Sequence, residues 1–311
     1  MRGFGYRRRS AVAALVGLGV AGSAAWGQTP LPVVTTTSDL RSLVEAVGGE
    51  RVAASHLAPP EADVEHYLPR PRDVERLRGA ALAVRVGADF DLWFDPLAKR
   101  AGNPELARGG LRHVDASRAV ALLEVRGAAV GPGDGHAHGA GNPHYWLDPA
   151  NAAAITATLL EALARLDGAG AAYFEARRIA LLDRLAARLP EWQALLAPLR
   201  GTALVAQHNT WAYFARRFRL EFAGFIEPRP GVPASPAHLA RLRELVRERR
   251  VRIIVRQPHE SARDAEFVAA PTRARVIVIA ASVGALPEAA DYVALIDQAV
   301  RTLARAHAAS V

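Results

Sequence analysis

The sequence predicts an α/β protein of two lobes, each with a mostly parallel sheet flanked by helices, joined by one long connecting helix. Three observations carry this. Short β-rich runs alternate with helical patterns in the first 115 residues and again after residue 200. Between them the stretch 169–199 (AGAAYFEARRIALLDRLAARLPEWQALLAPL) repeats apolar residues at three- and four-residue spacing, the period of one helix face. The 311 residues, half of them hydrophobic and 23% charged, suffice for two cores in a globular chain. Strand–helix alternation is what a parallel sheet covered by helices requires.

The chain opens on a leader. Residues 1–27 (MRGFGYRRRSAVAALVGLGVAGSAAWG) hold four arginines and no acid, then an apolar run over 11–20, then small residues. This is the plan of a secretory signal peptide, with an apolar core short of the ~20 residues that span a bilayer. The mature protein is therefore expected to be exported, soluble and periplasmic; the Arg7-Arg8-Arg9 run leaves a twin-arginine route open. The leader's four arginines take the net charge from +8 to +4, too little to argue for a nucleic-acid partner. There is no cysteine, so a bound metal would be held by imidazole, carboxylate, carbonyl or water.

In the first lobe, 28–168, residues 31–37 (LPVVTTT), 52–57, 82–86 and 111–114 read as strands. A helix capped by Ser38 runs to Val47 and stops at Gly48-Gly49; another covers 91–101. Residues 127–142 are Gly-rich and aperiodic, a loop. From Pro149 the pattern is helical for about 50 residues, with 169–199 as the connector and Pro190 expected to kink it. In the second lobe, 200–311, strands are expected at 202–206, 221–226, 251–255 and 275–279. Helices are expected at 211–218, at 235–248 behind a Ser235 cap, and at 291–308.

Of ten histidines, three occupy equivalent places. His66 (EADVEHYLPRPRD) follows the second strand, His144 (NPHYWLDP) precedes a helix, and His208 (VAQHNTW) follows the first strand of the second lobe. In open α/β sheets ligands bind beyond the carboxyl ends of the strands. Two of the three belong to one lobe and one to the other, so they can meet in a cleft. An aromatic residue lies within three positions of each: Tyr67, Tyr145 with Trp146, and Trp211. Three imidazoles favour Zn²⁺ over the harder ions.

The segments EHYLPRPRDVERL, NPHYWLDPANA, AQHNTWAYFARRF, FIEPRPGVPASPAHLARL and VIVIAASVGALPEAADYVALID together resemble the periplasmic solute-binding proteins of zinc and manganese ABC transporters, cluster A-I, from about Pro32 to Ala308. The resemblance implies two lobes joined by a long helix and one metal between them, held by His66, His144 and His208. It also implies a membrane permease as partner for a monomeric carrier. Family members often add an Asp after the last strand; here that turn reads Ile279-Ala280-Ala281-Ser282. Glu65 is the first candidate for the fourth ligand, with Glu227, His259 and Glu260 in other cleft loops, or a water. Asp134, His136 and His138 could catch metal weakly. Asp148 is expected to cap the next helix and could orient the His144 ring. His56, His113, His238 and His307 have no supporting context.

The expected function is capture of Zn²⁺ and its delivery to an ABC permease. A secreted zinc hydrolase is the rival, since three histidines and an open position also build catalytic zinc. The chain has neither an HExxH helix nor a Gly-x-Ser-x-Gly elbow. A manganese- or iron-specific carrier, an adhesin and a metallochaperone fit the same site.

Overall fold

The computed structural model describes residues 29–124, 140–229, 231–272 and 274–310. The expected leader and Asp134, His136 and His138 lie outside them. The first lobe contains β1 (Leu31–Thr35), α1 (Ser38–Gly48), β2 (Val52–His56), α2 (Pro71–Arg78), β3 (Leu82–Arg85), α3 (Phe94–Ala101), β4 (His113–Asp115) and α4 (Ala152–Leu166). Then come α5 (Ala171–Leu196), β5 (Ala203–Ala206), α6 (Ala212–Phe218), β6 (Glu221–Phe225), α7 (Pro236–Glu248), β7 (Ile253–Arg256), α8 (Ala262–Ala269), β8 (Arg275–Val278) and α9 (Tyr292–Ala308).

The strands form two four-stranded sheets, ordered β2-β1-β3-β4 and β6-β5-β7-β8, and every pairing is parallel. In each sheet the order turns back beside its first strand, between β1 and β3 and between β5 and β7. Such switch points open a crevice at the carboxyl ends of the strands.

Local chemistry explains the departures from expectation. Thr37, not Ser38, caps α1: its side chain accepts the Leu40 N–H. The 50-residue helical run divides into α4 and α5 because Asp167 accepts the Gly170 N–H in a short turn between them. α5 continues through Pro190 to Leu196, its last turns anchored by buried Trp192, whose Nε1 donates to Asp297 of α9. Two helices escape the periodicity argument. α2 is eight residues with two fully or nearly fully buried positions, Asp73 and Leu77, and is fixed by Pro71 in its first turn and by Asp73, which accepts the Arg70 N–H. α8 is equally short, behind a Ser261 cap.

A continuous core runs from the first lobe through α5 and α9 to one face of the second sheet, reaching Leu204, Ala206, Ile253 and Val255. The alternate residues Ala203, Val205 and Ile254 face the other way, under α7 and α8, with Val246 and Val268. This is the two-residue period of a strand covered on both faces. The lobes are also joined by buried hydrogen bonds: Val283 N–H to Asp39, Tyr292 N–H to Ser42, and the Trp146 indole to the Ala281 carbonyl. Burial in that contact pushes the Asp39 carboxyl up to about 7, against the hydrogen bond from Val283.

The turn after β3 is built on an ion pair with both partners out of solvent. Arg85 Nε lies 3.0 Å from Asp91 Oδ1, and Asp91 also accepts the N–H groups of Val86 and Gly87. Gly87, Ala88 and Asp89 all have positive φ, and a Cβ on Gly87 would collide with the Asp115 carboxylate. This turn delivers Phe90 to the cleft. Asp91→Ala leaves a buried guanidinium with Asp95 as its remaining ion pair among the described residues; the expected loss is about 3–5 kcal/mol. Urea unfolding of the variant reads it, and a loss below 1 kcal/mol would show the pair to be dispensable.

Candidate metal centre

Each cleft residue is placed by its own short-range chemistry. In the loop after β2, Asp63 Oδ1 accepts the Glu65 N–H at 3.0 Å, and Asp63 Oδ2 lies 2.6 Å from His66 Nδ1. That turn directs Glu65 inward, where its side chain is 8% exposed, and leaves His66 at the rim, 40% exposed. The loop is pinned from below by Trp93, which donates to the Val64 carbonyl and meets Tyr67 edge-on.

His144 is buried, and the 3₁₀ turn that follows it, Tyr145–Leu147, is buried as well. Tyr145 donates to the Val86 carbonyl, the Trp146 indole to Ala281, and Tyr292 to the Trp146 carbonyl. Phe90 and Trp146 stand 5.4 Å from the His144 ring, Phe90 edge-on. His208, two residues beyond β5, points Nδ1 at Glu227 Oε2, 2.5 Å away, and Glu227 in turn accepts the Gly231 N–H.

These placements make three donor atoms converge. Glu65 Oε1 lies 3.4 Å from His144 Nε2 and 3.6 Å from His208 Nε2, and the three ligand atoms lie within 4.8 Å of one another. His66 lines the same cleft but is outside that cluster, its ring turned to Asp63. The cleft measures about 240 Å³ and also borders His259, Glu260, Glu227, Ala281 and Ser282. Among the described residues it therefore presents no carboxylate on the β8 side. The buried Gln207 side-chain oxygen, also at the cleft, has no hydrogen-bond partner among the described residues.

Asp148 caps the next turn by accepting the Ala150 N–H, as expected, but it does not orient the His144 ring. Its carboxylate is taken by Arg217 of α6 at 2.6 and 3.0 Å. The His144 Nδ1 faces Asn142 Oδ1 instead, at 3.1 Å. Asn142 is the His144 partner that the sequence did not single out; its signal was the Asn-Pro step two residues before a histidine, which marks an Asx turn. His56 and His113 are held low by burial and lie within the first sheet, and His238 meets the Phe225 carbonyl.

Residues 33–306 match the family model "ZnuA: Zinc-uptake complex component A periplasmic". The chain belongs to this family. As a ZnuA-family member it is a metal-binding solute-binding protein of an ABC transporter and not an enzyme, which disposes of the hydrolase reading. The high-affinity zinc uptake system protein ZnuA of Yersinia pestis is 25% identical over 73% of this chain and 75% of its own length. The iron-binding protein YfeA of the same organism is 22% identical over 88% of this chain and 85% of its own length. A crystal structure of ZnuA superposes with a TM-score of 0.76 at 24% identity, covering 89% of this chain and 99% of that one, so the fold is shared.

The site's electrostatics set its pH dependence. Burial pushes the His208 imidazole down, but the Glu227 hydrogen bond and the Glu65, Glu227 and Glu260 charges outweigh it and bring the value up to about 9. Glu260 itself is pushed up to about 7, chiefly by burial. A folded-state value above the unfolded one, ~6.5, means that the His208 proton stabilises the metal-free fold fully below about pH 6.5. That contribution is lost as pH rises through about 9. A metal on Nε2 must displace the same proton. Apparent metal affinity should therefore rise by about tenfold per pH unit between pH 6.5 and 8.5 and fall further below pH 6. Isothermal titration across that range checks this; a flat profile would assign the binding to carboxylates.

Proposed function

We propose that the mature, exported chain captures one Zn²⁺ between its lobes and hands it to the membrane permease of an ABC importer. The observation that carries this reading is the convergence of Glu65 Oε1 with the Nε2 atoms of His144 and His208, one carboxylate and two imidazoles, from loops of both lobes. Such a donor set suits zinc, which accepts four ligands of mixed nitrogen and oxygen, better than Mn²⁺, which prefers more oxygen. His66 neighbours Glu65 and borders the cleft; in this reading it completes the tetrahedron by leaving Asp63, or a water does. A cleft of about 240 Å³ admits an ion with a few waters and is smaller than the ~300–1,000 Å³ of organic-ligand pockets. Phe90 and Trp146 limit water around His144 and so strengthen the ligand bonds. The alternative cargo is iron, favoured by the long match to YfeA.

The purified mature chain should retain close to one zinc per molecule after dialysis against a weak chelator. His144→Ala and His208→Ala should each lower that figure, and a lower figure in His66→Ala as well gives the fourth position to His66 rather than to water. Retention near zero in the wild type, or full retention in all three variants, rejects the proposal. Competition should favour Zn²⁺ over Mn²⁺ and Fe²⁺ by at least tenfold, and Glu65→Ala should weaken Zn²⁺ binding. Equal affinities would reassign the cargo.

A further inference from the structure

Asn142 reaches both halves of the metal site. Its Oδ1 accepts the His144 backbone N–H at 3.1 Å and faces His144 Nδ1, also at 3.1 Å. Its Nδ2 donates to the Asn209 carbonyl at 2.9 Å and to Glu124 Oε2 at 3.2 Å. Asn209 is the residue next to His208, and its own side-chain amide donates to the same Glu124 oxygen at 2.8 Å. The amide's orientation follows from its partners: a backbone N–H can only donate, a backbone carbonyl can only accept. With Oδ1 so fixed, the His144 Nδ1 must carry the proton to make its contact, which leaves the Nε2 lone pair facing Glu65 and the cleft. Asn142 is itself buried, 6% exposed, and its backbone is held as well: its N–H donates to the Leu123 carbonyl and its carbonyl accepts Tyr213 Oη–H from α6.

We propose that Asn142 is a positioning residue for metal binding. One amide sets the Nε2-ligating tautomer of His144 and, through the Asn209 carbonyl, holds it in register with His208 on the other lobe. The inference deepens the zinc-capture reading and rests on it. It assigns different partners to the two imidazoles. His208 has a carboxylate at Nδ1, which raises its basicity, whereas His144 has a neutral amide, which selects a tautomer without adding charge. A second carboxylate at Asn142 would lie against Glu124, whose oxygen already receives two amide donors.

The test uses the full mature chain with Zn²⁺ alone as probe. Asn142→Ala removes both contacts; Asn142→Asp keeps an acceptor for His144 and gives up the donor to Asn209 and Glu124. Chelator competition measures zinc affinity, and ¹⁵N–¹H imidazole spectra of the metal-free protein read the His144 tautomer. Asn142→Ala should lose about 10–100-fold in affinity, with His144 no longer held in the Nδ1–H form. Asn142→Asp should recover that tautomer and part of the affinity. Wild-type affinity in Asn142→Ala overturns the proposal. So does lost affinity in Asn142→Ala with the Nδ1–H tautomer intact, or an Asn142→Asp that recovers the tautomer yet binds zinc no more tightly than Asn142→Ala. Should Asn142→Ala fail to fold, the Asn142→Asp tautomer decides. A wild-type chain that binds no zinc would instead reject the cargo assignment, and the metal-free spectra would still test the tautomer.

Discussion

His144 and His208 belong to different lobes, so the site exists only while the lobes keep their spacing. That constraint accounts for much of the chemistry around it. The segment from Asn142 to Asp148 lies in the first half of the chain, yet several of its buried polar groups are bound by the second. Tyr213 and the Asn209 carbonyl hold Asn142, Ala281 and Tyr292 hold Trp146, and Arg217 holds Asp148. Asp39 and Ser42 of α1 add two more bonds across the same boundary. With α5 and α9 packed into one continuous core, a wide opening of the lobes would expose both this network and apolar surface. The fold therefore favours a nearly preformed site over a large closing motion, at the expense of buried polar groups that must all stay satisfied.

Charge follows the same logic. The β8 side of the cleft offers Ala281 and Ser282, with no carboxylate among the described residues, and the negative groups sit elsewhere: Glu65 among the ligand atoms, Glu227 behind His208 and Glu260 nearby. In the metal-free protein a proton on His208 takes up part of that charge. In the proposed reading cargo and proton compete for one position, and binding is coupled to proton release.

The fold was legible because it depends on periodicity and length. The parallel alternation, the helix over 169–199 and the strands that carry His208 and the second lobe's core all follow from apolar spacing. Short elements were not legible: α2 has too few buried positions to produce a period, and α8 lies between loop residues that resemble it in composition. At the site, His66, His144 and His208 could be singled out by their place after strands or before helices, and Glu65 through the family resemblance alone. Which way adjacent side chains point could not. Glu65 and His66 are neighbours, and only the Asp63 turn sends one inward and the other to the rim. The orienting partners were equally hidden, because Asn142 and Asp148 both flank His144 and tertiary contact with Arg217 removes one of them.

The most direct test of the central claim is a crystal structure of the zinc-loaded protein with the ion placed by anomalous scattering. The account predicts one ion between the lobes, at about 2.0–2.1 Å from the Nε2 atoms of His144 and His208 and about 2.0–2.2 Å from a Glu65 oxygen. An ion coordinated by only one of the two histidines, bound through Nδ1, or seated at the rim with Asp63 and His259 would contradict it.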